Sequence, residues 1–249
     1  MAKLLRSRDR VLLGLAVLGD AADWLMPGRN ERLRRIGINL YLPLKYRKPS
    51  YYTAVSRMLK TGLISKKIEN NEAVWKLTSS GKKQVTRSFP LLEWQNKKWD
   101  GWWRLAVFDI ESKRNWVRDK LRQKLIELGF GQWQKSVYVS PHDVTEDIKE
   151  FLETEKLAGQ VSVLECRELW PDNPEKIERM WQLNRLNQQY ESLVDYFKKH
   201  KLKNGKKEMH NLVSGYLRVI VADPFLPKEF LPQPWFGSQA RKVISSLHF

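Results

Sequence analysis

Residues 99–143 read WDGWWRLAVFDIESKRNWVRDKLRQKLIELGFGQWQKSVYVSPHD, a strand, a helix and a second strand in immediate succession. In residues 103–109 the apolar side chains alternate, Leu105 and Val107 toward one face and Ala106 and Phe108 toward the other, which predicts a strand covered on both sides. From about Ser112 the period changes. Val117, Leu121, Leu125 and Leu128 recur at helical spacing, Arg118, Lys120, Arg122 and Lys124 fall largely outside that stripe, and Gly129 is placed to stop the helix. Residues 134–140 return to strand character. A crossover of this length between strands is what a β-α-β unit needs, so the stretch reads as one half of an α+β sandwich.

Downstream, Val144, Ile148, Phe151 and Leu152 supply a second helix, with Asp143 and Glu146 in capping-box spacing, and residues 161–166 supply a last strand. Residues 173–199 predict one long helix, capped by Asn173 with Pro174 in its first position and with Ile177, Trp181, Leu183, Leu186, Tyr190, Val194 and Phe197 apolar. A basic turn around Asn204-Gly205 follows. Residues 209–221 predict a further helix, and after four prolines a final helix begins at Gly237.

Upstream, Asp9 is placed to cap a helix with Leu12, Leu13, Ala16, Val17 and Trp24 inward, and residues 30–38 form a second, short helix. After the Lys48-Pro49 break, Ser50 caps a third, with Tyr51, Val55, Met58 and Leu59 inward and Gly62 closing it. Residues 64–67 and 73–77 then read as two short strands around Glu69-Asn70-Asn71-Glu72, a hairpin turn in composition. Residues 79–87 are a short helix leading out. Three helices followed by a hairpin is the order of a winged helix-turn-helix. Its third helix would present Tyr52, Thr53, Ser56, Arg57 and Lys60 outward, with Lys48 at its start and Lys66, Lys67 and Lys76 in or beside the wing, a set of base-edge hydrogen-bonders and phosphate binders. The alternative use of these residues is as the polar side of an amphipathic helix.

At 249 residues the chain is long enough for two or three units, and the order of elements suggests 1–90, 91–171 and 172–249. Hydrophobic residues at 42% and aromatics at 11% are enough to build cores despite 29% charge, so a disordered chain is excluded. One cysteine, Cys166, rules out an internal disulfide and a cysteine-based zinc cluster, and points to the cytoplasm. The basic start followed by an apolar run over residues 11–18 imitates a secretion signal, but the run is short and Asp9, Asp20 and Asp23 interrupt the pattern. No stretch of about 18 apolar residues is present, so no membrane span is expected. The net charge of +17 is unevenly divided: residues 1–90 hold 19 Lys+Arg against 6 Asp+Glu, or +13, and the remainder holds +4. Such localisation favours a polyanion against the first third, because each phosphate neutralised releases condensed counterions.

The run AVSRMLKTGLISKKIENNEAVWKLTSSGKK, residues 54–83, resembles the winged-helix half of the phenylacetic-acid degradation repressor (PaaX) family, where a Ser-Arg-Leu type helix leads to a Gly, a hairpin and a Leu-Thr-x-x-Gly exit. The quoted stretch from Asp100 to Asp143 resembles that family's middle domain. Residues 223–240, DPFLPKEFLPQPWFGSQA, are similar to its C-terminal signature of Asp-Pro, Leu-Pro, Trp and Gly. The resemblance implies a homodimeric, double-stranded-DNA-binding transcriptional regulator, of repressor type, reading a near-palindromic operator and answering to an aryl-coenzyme A thioester. The middle stretch also resembles the Cas-two subunit of CRISPR adaptation, through Val107-Phe108-Asp109-Ile110, Gly129-Phe130 and Gln134-Lys135-Ser136-Val137-Tyr138. That likeness implies a ferredoxin-like (βαββαβ) domain, in which residues 130–140 either bend near Gln134 into two short strands or leave the sheet one strand short.

Asp109 is the one sharp enzymatic candidate. The Cas-two resemblance makes it a ligand for Mg²⁺ or Mn²⁺ and the chain a metal-dependent nuclease or an adaptation subunit with a DNA-binding head. The structural alternative is that Asp109 caps the next helix or pairs with Arg114 or Arg118. His142, His200, His210 and His248 lack metal-ligand spacing, and neither a Gly-rich phosphate loop nor a nucleophile motif occurs. Trp94, Trp99, Trp102, Trp103, Trp116 and Trp133 either line an aromatic pocket or pack a core or interface.

Overall fold

Leu12 and Leu13 are completely buried, and the reason is that the first helix, α1 (Ser7–Leu18), is enclosed rather than laid on a surface. In this computed structural model, which describes residues 5–18, 48–69, 72–169, 174–200 and 206–246, Asp9 through Leu15 are all buried. The helix packs against α2 (Lys48–Lys60), α3 (Ser79–Ser88) and the second strand of a hairpin. Enclosure explains a departure from the expected inward set: Leu12 and Leu13 are buried, whereas Ala16 is exposed and Val17 only half-buried, because the cover lies over the first turns. Asp9 accepts a hydrogen bond from the Arg6 amide at 3.3 Å, so it lies within the first turn rather than ahead of it. Trp24 and the helix expected over residues 30–38 lie outside the described residues.

α2 begins at Lys48, two residues before the expected Ser50 cap, with Pro49 tolerated in the first turn, where its missing N–H costs nothing. Val55 and Met58 are buried, but Leu59 is 36% exposed and is not part of the inward stripe. The hairpin strands are β1 (Ile64–Glu69) and β2 (Glu72–Leu77), paired antiparallel with Ile64 opposite Leu77 and Glu69 opposite Glu72.

The central part forms a four-stranded antiparallel sheet. Its elements in chain order are β3 (Trp103–Phe108), α4 (Asn115–Glu127), β4 (Gly131–Gln134), β5 (Val137–Ser140), α5 (Thr145–Thr154) and β6 (Val161–Cys166), and the strands lie side by side as β4-β5-β3-β6. The stretch 130–140 does bend: a turn at Lys135 and Ser136 separates β4 from β5, with an irregular register between Gln132 and Gln134. The alternation in β3 has the expected consequence. Ala106 and Phe108 join Val117, Leu121, Leu125, Leu128, Ile148 and Leu152 in one core, while Trp103 and Leu105 join Val139, Ile177, Leu183 and Leu226 in a second core on the opposite face. Each fully buried leucine of α4 contributes about 1.5–3 kcal/mol. Gly129 ends α4 in the left-handed region, at φ +86, and the Phe130 amide returns to the Leu125 carbonyl at 3.0 Å.

Two further expectations are corrected. Asp143, one residue ahead of the Val144 N-cap, accepts the Thr145 amide at 3.4 Å, but Glu146 turns to Lys149 at 2.8 Å, so the reciprocal capping box does not form. The single helix over residues 173–199 is two: α6 (Pro174–Trp181) and α7 (Leu183–His200), broken at Gln182, whose φ is +53. The break lets the Trp181 indole N–H donate to the Gly129 carbonyl at 3.0 Å, while Glu178 accepts the Asn184 amide at the start of α7. Asn173 lies outside the described residues. α8 (Lys206–Ile220) and α9 (Gly237–Ser245) complete an α+β chain.

The backbone divides into two compact units, residues 1–88 with 186–223 and 234–249, and residues 89–185 with 224–233. Most of the expected third segment, 172–249, therefore shares a unit with the first. The physical reason is the enclosed α1, which also touches α8.

Candidate nucleic-acid interface

The outward stripe of α2 is built by helix arithmetic. Thr53, Ser56, Arg57 and Lys60 follow i, i+3, i+4, i+7 spacing, all four are exposed, and Val55 and Met58 hold the other side of the helix in the core. The end of α2 is fixed closely. Thr61 N–H bonds the Arg57 carbonyl at 2.9 Å, Gly62 takes a left-handed φ of +69, and Leu63 N–H returns to Met58 at 2.9 Å. Of the other residues expected at this surface, Lys48 and Tyr52 belong to α2 and Lys67 to β1, but their side chains lie outside those described. Lys66 is exposed on β1, and Lys76 is half-buried on β2, opposite Ser65.

The hairpin returns the chain to the same place. Thr78 Oγ1 donates to the Gly62 carbonyl and accepts the Gly81 amide at 3.0 Å, while the Thr78 amide reaches the Leu63 carbonyl at 3.2 Å. A Cβ on Gly81 would stand 2.0 Å from the Leu63 oxygen, so only glycine admits this approach. Thr78 thus ties the first turn of α3 onto the last turn of α2. The sequence between Glu31 and Glu69, and again between Glu72 and Glu93, contains no carboxylate, so both helices carry positive charge alone.

Asp109 is exposed at the end of β3, and its amide donates to the Gln160 carbonyl at 3.1 Å. Neither structural alternative for it holds: Arg114 turns to Gln160 Oε1 at 3.2 Å, Arg118 to Asn115 at 2.6 Å, and no side-chain cap forms on the following helix. As a cation site Asp109 does not fit unaided. One carboxylate supplies at most two oxygens, Mg²⁺ takes six ligands, and among the described residues no three His, Cys, Asp or Glu side chains converge.

The aromatic residues of the middle stretch are mostly packing. Trp99, Trp103, Trp181 and Phe230 pack in the second core at centroid distances of 4.8 to 6.4 Å, Trp103 stacked on Trp181 and the other pairs edge-on or tilted, and Lys176 sits 3.4 Å over Trp133. Trp94 stacks on His142 at 4.8 Å; Trp116, by contrast, is 68% exposed. Arg104, almost wholly buried, is held by Asp100 at 2.6 Å, Glu165 at 3.0 Å and Asp143 at 3.7 Å, and its guanidinium holds the Asp100 carboxyl below the usual range. The tail motif is structural too. Asp223, buried, accepts the Tyr190 hydroxyl at 2.7 Å; the Pro224 carbonyl meets His142 Nε2 at 2.6 Å; and Trp235 lies edge-on to Tyr190 and closes over Gly237. Lacking metal-ligand spacing, His142 is a satisfied core histidine, and its partner Pro224 lies 82 residues away in the sequence.

Comparison with known proteins agrees with these elements. Residues 96–178 match the family model described as the PaaX protein central Cas2-like domain, and residues 181–248 match the PaaX-like protein C-terminal domain. The transcriptional repressor PaaX of Escherichia coli strain K12 is 24% identical over 212 residues, which cover 79% of this chain and 66% of that protein, just under two thirds of its length. Uncharacterized protein Rv0674 from Mycobacterium tuberculosis has a similar fold, with a TM-score of 0.59 at 19% identity over 97% of this chain and 93% of that one. No helix among the described residues is long and apolar enough to cross a membrane. With two of its models matched in order over most of the chain, and the tail motif in place, this chain belongs to the PaaX-like family.

Proposed function

We propose that the protein is a DNA-binding transcriptional regulator of repressor type, with α1, α2 and the β1-β2 hairpin acting as a winged helix-turn-helix head and α2 as the helix that enters the major groove. The observation that carries this reading is the exposed Thr53, Ser56, Arg57, Lys60 stripe on a helix without a single carboxylate, set against a buried face of Val55 and Met58. Hydroxyl and guanidinium groups at that spacing suit base edges, and the ammonium suits phosphate. The relative named as a transcriptional repressor supports it. In this reading the β3–β6 sheet with α4 and α5 is a ferredoxin-like scaffold, consistent with its strand order, and two copies pair to place two heads on a near-palindromic site. Selection of duplexes from a random-sequence library by the full-length protein tests it. Enrichment of a motif with two related half-sites about one helical turn apart is expected; a pool with no enriched sequence after repeated rounds overturns the reading.

A further inference from the structure

α3 carries an outer face made only of hydroxyls and cations. Ser79, Ser80, Lys82, Lys83, Thr86 and Arg87 are exposed, Gly81 and Val85 are buried, and the ten residues SSGKKQVTRS include no Asp or Glu. Helical spacing places the six exposed residues on one continuous side, over less than half the circumference. A solvated basic surface is the ordinary explanation for such a face, and the rest of the chain shows what it looks like here. On α4, Arg122 pairs with Asp119 and Lys120 with Glu155; on α5, Lys149 pairs with Glu146; on α7, Lys198 pairs with Asp195. Among the described residues no such partner faces Lys82, Lys83 or Arg87. On α3 these three unmatched cations stand together on one face, and Thr78 and Gly81 fasten that helix to the cap of α2, whose own charges, Arg57 and Lys60, likewise have no carboxylate on their helix.

The geometry points to α3 as a second DNA-contacting element, in which Lys82, Lys83 and Arg87 track the phosphates of the duplex whose groove α2 enters. It rests on the reading of the head as a DNA-binding module and adds a surface to it. The fastening matters because α2 and α3 then move as one body, so seating α2 carries the cations of α3 to the backbone without a further ordering cost. Phosphate contacts of this kind fix register and supply affinity but carry no sequence information.

The test is the salt dependence of binding to a 30-base-pair mixed-sequence duplex, followed by fluorescence anisotropy of the full-length protein between 50 and 200 mM salt. Three phosphate contacts account for about 2.7 in the slope of log affinity against log salt. The variant Lys82→Ala, Lys83→Ala, Arg87→Ala is expected to lose about that much slope, with an unaltered thermal midpoint and an unaltered ratio of affinities for a selected and a scrambled duplex. A charge-matched variant, Lys113→Ala, Lys149→Ala, Arg179→Ala, is expected to keep the wild-type slope. An unchanged slope in the α3 variant, or an equal fall in both variants, overturns the inference while leaving α2 as the contact helix. Wild-type protein that binds no duplex overturns both.

Discussion

Acid should unlock the second unit through one histidine. His142 is 3% exposed, its Nε2 lies 2.6 Å from the Pro224 carbonyl, and Trp94 stacks on its ring. Burial lowers its pKa from 6.5 to about 4; the Pro224 carbonyl and Asp100 oppose the fall, while Arg104 and Lys97 add to it. The folded state therefore resists a proton that the unfolded chain accepts. Because the folded value is the lower one, stability is fully present above pH 6.5 and is lost as the pH falls toward 4. At about 1.4 kcal/mol for each tenfold difference, that interval is worth about 3 kcal/mol, of which about 2 kcal/mol has gone by pH 5. Urea denaturation followed by tryptophan fluorescence, at pH 7.5 and pH 5, compares the wild type with His142→Gln, which has no imidazole to titrate. The wild type should lose about 2 kcal/mol more than the variant over that interval. Equal losses would refute a buried neutral His142.

Other substitutions probe the joints of the fold. Tyr190→Phe removes a hydroxyl donor from the buried Asp223 carboxylate and should cost about 1–3 kcal/mol in denaturant unfolding, with no comparable loss from Tyr196→Phe on the same helix. Gly129→Ala combines a positive φ with a Cβ 2.7 Å from Leu91 and 3.0 Å from His142, and should lower the unfolding midpoint by the equivalent of about 1–3 kcal/mol or more. Gly81→Ala drives a Cβ into the Leu63 carbonyl and should loosen α3 from α2, weakening duplex binding although no charge is altered. An affinity for DNA equal to that of the wild type would show that the fastening is dispensable.

Much of the middle unit is legible in sequence because its signals are local. The period-two pattern of β3, the stripe Val117, Leu121, Leu125 and Leu128, the Gly129 stop and the bounds of β6 all fall where their residues dictate. What escaped depends on tertiary contact. Gln182 carries no turn signature, yet it breaks a helix because Trp181 is drawn to the Gly129 carbonyl. Ala16 and Leu59 follow helical spacing but are exposed, since α1 is enclosed around its first turns and Leu59 lies at the last turn of α2, which ends at Lys60. The outward residues of α2 were readable from periodicity alone. Those of α3 were not, because a short helix after a hairpin reads as a connection until Thr78 is seen to fasten it.

Whether α2 lies against duplex DNA is read from the affinity of wild type, Arg57→Ala and Lys60→Ala for one selected duplex at fixed salt. A residue at a base edge should lose about 1–3 kcal/mol with relaxed discrimination at that position, and one at a phosphate a smaller, sequence-independent amount. Dissociation constants for both variants indistinguishable from that of the wild type would contradict that contact.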